Sequence, residues 1–105
     1  MNKVLIVDDN RVIRLMLVEM LKKIDDVEIV GECETAIEAK SFLSKHAVDI
    51  LLLDVEMPGM TGLELLKLLP EKPATILITA KTGYAIEAFE LNVIDYIVKP
   101  VSIAR

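Results

Sequence analysis

Five residues spread along the chain are of the types that handle divalent cations and phosphoryl groups: Asp8, Asp9, Asp54, Thr79 and Lys99. Each stands at the end of a short apolar run. VLIV leads into Asp8-Asp9, ILLL into Asp54, TILI into Thr79, and DYIV into Lys99-Pro100. Three carboxylates brought together repel one another and persist only with a cation or a shared proton. An all-oxygen set with few protein ligands suits Mg²⁺, a hard ion that keeps water and phosphate oxygens in its shell. Lys99 adds a positive charge and Thr79 a hydroxyl donor. A carboxylate so equipped can attack phosphorus and then hold the phosphoryl group it has taken. A transition-metal site is not indicated, because the lone His46 falls in a helix-to-strand connection and reads as solvated. The lone Cys33 reads as a small buried apolar residue, and Met57 and Met60 as packing residues.

For these groups to meet, the apolar runs must lie side by side and point the same way. Ile50 to Leu53 has no polar alternation, as expected of a central strand covered on both faces. Val4 to Val7 and Thr75 to Thr79 read the same way, Val27 to Cys33 alternates in part as nearer a sheet edge, and Asp95 to Val98 makes a fifth strand. Helical periodicity separates them. Ile13, Met16, Leu17, Met20, Leu21 and Ile24 form one stripe, with Arg14, Glu19, Lys22 and Lys23 on the opposite face, Asp9 or Asn10 as N-cap and Asp25-Asp26 as the break. Thr35 and Glu38 have capping-box spacing before Ala36, Ala39, Phe42 and Leu43. After the Pro58-Gly59 loop, Gly62 to Leu69 forms a third helix that Pro70 stops, and Tyr84 to Leu91 forms a weak fourth. Strictly alternating strands and helices predict an α/β fold with a parallel sheet and right-handed crossovers. All strand ends carrying the polar residues then share one edge, where open α/β sheets do their chemistry.

Taken singly, each residue has a plain structural role. Asp8-Asp9 can cap a helix, Asp54 can form a turn, Thr79 can be an ordinary strand residue and Lys99-Pro100 can end a strand. Their convergence on one edge is what argues for a site. The 105 residues predict one domain, with no linker or repeat. The formal net charge of −5 and the absence of any basic cluster beyond Lys22-Lys23 argue against nucleic-acid binding by this chain itself. No apolar run reaches the roughly 18 residues of a membrane span, no signal peptide is visible at the start, and a single cysteine fits a reducing cytoplasm.

VLIVDDN, LLLDVEMPGMTGLELL, ILITA and DYIVKP, in that order and spacing, resemble the receiver (response-regulator) domain of two-component signalling along essentially the whole chain. The resemblance implies a flavodoxin-like (CheY-like), doubly wound sheet of order 2-1-3-4-5 with five helices. The last of these would be truncated here, since the chain stops five residues after Pro100. It implies a phosphorylation-dependent switch, not a metabolic enzyme, that catalyses only its own phosphoryl transfer and dephosphorylation. Asp54 would be the phosphoacceptor, served by a cognate histidine kinase. Mg²⁺ would be held by Asp9 and Asp54, by Asp8 through water and by the Glu56 backbone carbonyl. Thr79 and Lys99 would bind phosphoryl oxygens, the Lys99-Pro100 peptide would be cis, and Ala80 would leave access to the aspartate. Thr79 and Tyr96 would form the switch, reshaping the face of the fourth helix and fifth strand, which is also the candidate homodimer face. YAIEAFELNVIDYIVKP resembles receivers with a LytTR-type DNA-binding output, expected as a C-terminal domain outside this chain.

Two other readings compete. A degenerate receiver serving only as a docking module is opposed by competent residues at all five positions. An Mg²⁺-dependent aspartyl-phosphate phosphatase is opposed by Asp54-Val55-Glu56, which lacks the second aspartate such enzymes use. Beyond the family pattern, Glu56 and Lys81 each lie two residues after a site residue. They are expected at the rim, paired across the mouth and hindering the hydrolytic water.

Overall fold

The computed structural model describes residues 1–80 and 83–99. Five strands and four helices alternate: β1 (Asn2–Val7), α1 (Arg11–Leu21), β2 (Val27–Cys33), α2 (Ala36–Lys45), β3 (Ile50–Leu53), α3 (Gly62–Leu68), β4 (Ala74–Thr79), α4 (Ala85–Glu90) and β5 (Asp95–Val98). The strands form one sheet in the order β2-β1-β3-β4-β5, every neighbouring pair parallel, as the alternation predicts.

Side chains of successive strand residues point to opposite faces, so the aliphatic runs feed two cores. Leu5, Val7, Leu51, Leu53 and Leu77 pack with Ala36, Ala39, Leu63, Leu66 and Ala88 beneath α2, α3 and α4. Val4, Ile6, Leu52 and Ile78 pack with Leu17 of α1 on the other face, where Ile50, Ile76 and Ile97 are half-buried. The weak helix is as thin in apolar residues as its sequence suggests. Ala88 is its one buried residue, while Ile86 and Phe89 are 79% and 82% exposed.

The first helix departs from its periodicity in two ways. It ends at Leu21, not at the Asp25-Asp26 pair, and Ile24 stands exposed in the following turns. Arg14, assigned to the solvent face, is buried instead. A helical side chain leans back toward the helix N-terminus. From Arg14, one turn beyond the Asn10 cap, that lean carries the guanidinium over the end of β1.

Register brings the strand ends level. Val7 pairs with Leu53 and Leu53 with Leu77, so Asp8 and Asp54 emerge side by side from the two central strands. Thr79 pairs with Val98, which sets Lys99 just beyond it. Main-chain bonds continue the ladder past the strands, from Asp54 N–H to the Val7 carbonyl (2.9 Å) and from Lys99 N–H to the Thr79 carbonyl (2.8 Å).

Candidate functional site

Asp8, Asp9 and Asp54 each place a carboxylate oxygen within 4.8 Å of the others. Asp8 and Asp54 are buried and Asp9 is exposed at the rim. Lys99 Nζ reaches between the buried pair, 3.0 Å from Asp8 Oδ2 and 3.4 Å from Asp54 Oδ2. Thr79 is fully buried at the end of β4. Asp9, Asn10, Asp54, Glu56, Thr79, Ala80 and Lys99 surround an open hollow of about 370 Å³. A larger hollow of about 570 Å³ between the ends of α2 and α3 has a floor of Leu43, Val48, Leu68 and Leu69. Size does not mark the site; converging charge does.

Local structure holds these groups firmly. The Asn10 side chain accepts from the N–H groups of Val12 and Ile13 and so caps α1, while Asp8 Oδ1 accepts from Asn10 N–H at 2.8 Å. Asp8 N–H donates to the Cys33 carbonyl at 3.1 Å. On the far side, Gly59 makes its turn at φ +80°, and Thr61 and Glu64 close a capping box on α3. Gly62 packs so near the Asp54 main chain that a Cβ there would collide with the Asp54 carbonyl oxygen. The helix start and the phosphoacceptor candidate are thus one packed unit.

Burial pushes the Asp54 carboxyl up, and the Asp8 charge pushes the same way. Lys99 and a backbone hydrogen bond from Glu56 oppose them, leaving it raised from 3.8 to about 6. Asp54 is therefore an anion at neutral pH, and a more basic one than an exposed aspartate. Burial alone would pull the Lys99 ammonium down. Its hydrogen bond to Asp8 and the charges of Asp54 and Asp8 outweigh that and hold it above its usual range. Among the described residues, two buried carboxylates and a rim carboxylate share one nearby lysine. This hard, oxygen-rich, acid-excess set fits a divalent cation such as Mg²⁺.

The structure brings together Asp8, Asp9, Asp54, Glu56, Thr79, Ala80 and Lys99, all singled out in the sequence. Tyr96 is half-buried against the core under α4. Lys81 and Pro100 lie outside the described residues, and with them the rim pair and the peptide after Lys99. Glu56 has a partner the sequence did not suggest, accepting from the Tyr84 hydroxyl at 3.2 Å. Arg14 was likewise missed. Its Nη1 donates to the Asp8 carbonyl at 2.7 Å, and no local pattern distinguishes it from a solvent-facing arginine.

The model of the response regulator receiver domain family matches residues 4–105. The chain belongs to that family. As a receiver domain it is 46% identical over 107 residues to the transcriptional regulatory protein BtsR of Salmonella typhi, which covers all of this chain but 45% of the relative's length. Its fold is similar to that of the response regulatory domain of mrkE from Klebsiella pneumoniae, with TM-score 0.91 and 34% identity over 98% of this chain and 87% of the other. It is also similar to the response regulator TrrA of Thermotoga maritima in complex with Mg²⁺-BeF, with TM-score 0.84 and 31% identity over 97% of this chain and 90% of that one. The receiver fold and sheet order expected from the resemblance are those observed.

Proposed function

We propose that residues 1–105 act as one receiver domain whose Asp54 accepts a phosphoryl group from the phosphohistidine of a histidine kinase. The observation that carries this is the buried Asp54 facing an open hollow beside Lys99, Thr79 and two further acids. An Asp54 carboxylate oxygen forms the new bond to phosphorus as the donor's P–N bond breaks. The electron pair stays on the imidazole nitrogen, which takes a proton from solvent. Lys99 is placed to pair with the oxyanion charge and Thr79 to donate its hydroxyl to a phosphoryl oxygen. Asp9 and Asp54, Asp8 through water, and the Glu56 carbonyl are the groups that would hold Mg²⁺. When bound, the ion supplies the positive charge that lets two anions approach. Ala80, exposed at the mouth, leaves the approach clear.

Modification changes the charge at the edge on which β4 and β5 end, and Thr79 and Tyr96 carry that change to α4 and β5. Ile86, Phe89, Ile94 and Val98 are exposed there, which supports this face as the homodimer and output surface. The output is transcriptional, through a C-terminal DNA-binding domain of LytTR type, and the setting is cytoplasmic. The transcriptional relatives and the lack, among the described residues, of any helix long and apolar enough to cross a membrane support this.

Intact mass after incubation with Mg²⁺ and acetyl phosphate tests the reading. One added phosphoryl group is expected, absent without Mg²⁺ and absent in Asp54→Asn. A folded protein that gains no mass would be a docking module only.

A further inference from the structure

Arg14 is the one buried cation of α1, at 8% exposure, and arginine is almost never so buried unless it is paired. Its three contacts fan out from the fork of one guanidinium. Nη1 donates to the Asp8 main-chain carbonyl at 2.7 Å, Nε lies 3.4 Å from Glu32 Oε1, and Nη2 lies 3.5 Å from Glu34 Oε1. The two glutamates are well exposed at the end of β2, and exposed pairs of that length hold an arginine weakly. Had they been the main attraction, the side chain would lie outward and hydrated. It turns inward to a carbonyl instead, and that bond is the short, charge-assisted one.

The carbonyl it holds belongs to the residue from which the acidic turn begins. Asp8 is then bonded through its N–H to Cys33, through its carbonyl to Arg14 and through its carboxylate to Asn10 N–H. Asp9 sits between two anchored residues, Asp8 and the helix-capping Asn10. Lys99 grips the Asp8 carboxylate at 3.0 Å, while Arg14 brings a side chain from α1 to the Asp8 main chain. Glu32 and Glu34 balance its charge, and its bond to Asp8 goes to the main-chain carbonyl, so it can hold the turn without acting as a second Lys99.

We infer that Arg14 is a positioning residue for the cation site: through the Asp8 carbonyl it fixes the turn that presents Asp8 and Asp9 beside Asp54. The inference rests on the reading of those acids as a metal site. It predicts that cation affinity depends on Arg14 in a protein that is otherwise folded, as for other groups that orient metal ligands.

The test is Mn²⁺ binding to the 105-residue chain, read by electron paramagnetic resonance of the free ion, with no phosphodonor present. Wild type should bind one Mn²⁺, and Asp54→Asn should bind it more weakly. Arg14→Met keeps an unbranched stem in the buried slot and should weaken binding by about tenfold. Glu32→Gln with Glu34→Gln should change it by less than about twofold. Equal Mn²⁺ affinity in Arg14→Met and wild type would overturn the positioning role while leaving the metal site standing. No binding by wild type would overturn both. Should Arg14→Met not fold cooperatively, Arg14→Lys decides, since a single ammonium cannot reproduce the fork. An affinity between wild type and Asp54→Asn supports the inference, and wild-type affinity overturns it.

Discussion

The Tyr84 hydroxyl, at the entry to α4, donates to the Glu56 carboxylate in the loop after the phosphoacceptor candidate, 3.2 Å away and 28 residues apart in sequence. With the 2.7 Å ion pair between Lys67 and Glu87, it ties α4 to the α3 side of the molecule through polar contacts. Ala88 is the only buried side chain of the helix, so hydrophobic burial contributes little to its placement. These exposed bonds add modestly to the packing of Ala88, Tyr84 and Leu91, and they connect α4 directly to the loop beside Asp54.

Tyr84→Phe therefore loosens α4 without loosening the sheet. Amide exchange of residues 85–90 should rise by roughly two- to fivefold, with β1 and β3 unchanged. Equal exchange in wild type and variant would show that the bond does not hold the helix.

Stability should depend on pH through Asp54. Its folded-state value of about 6 lies above the ordinary 3.8, so between those values the folded state binds the extra proton. Its contribution is full below about pH 4 and is lost as pH rises through 6. In chelator, Asp54→Asn should gain on wild type by about 2 kcal/mol between pH 4 and pH 7. Urea melts at the two pH values read it directly, and a constant difference would mean that burial and Asp8 do not raise the carboxyl.

Gly62→Ala drives a Cβ into the Asp54 carbonyl oxygen, which is backbone and cannot swing aside. Overpacking of this kind costs about 1–3 kcal/mol. The same shift displaces Asp54, so phosphorylation by acetyl phosphate should fall together with the melting temperature. A variant as stable and as active as wild type would mean that α3 can slide away at no cost.

Cys33 is buried, and its thiol is pushed up to about 11, first by burial and then by the Glu38 charge. Both leave it inert at neutral pH. Labelling by a thiol-reactive disulfide at pH 7.5 should be slow in the native protein and immediate in urea. Rapid native labelling would place the end of β2 at the surface.

The apolar runs and their polar ends were enough to read the strands, the parallel sheet and the edge where Asp8, Asp9, Asp54, Thr79 and Lys99 meet. That much is legible because burial on both faces leaves an unbroken aliphatic signature, and parallel connection puts every strand's end on one side. The motifs along the chain carried the family as well. Arg14, Tyr84 and Gly62 were not legible in the same way. Periodicity places Arg14 on the solvent face because it weighs residue type, whereas its burial comes from a carbonyl six residues earlier and two acids at the end of β2. Tyr84 finds Glu56, and Gly62 meets Asp54, only once separate loops are packed together. Local pattern determined which residues form elements and which end they crown. The partners that hold those residues in place come from remote segments, and only the tertiary structure decided them.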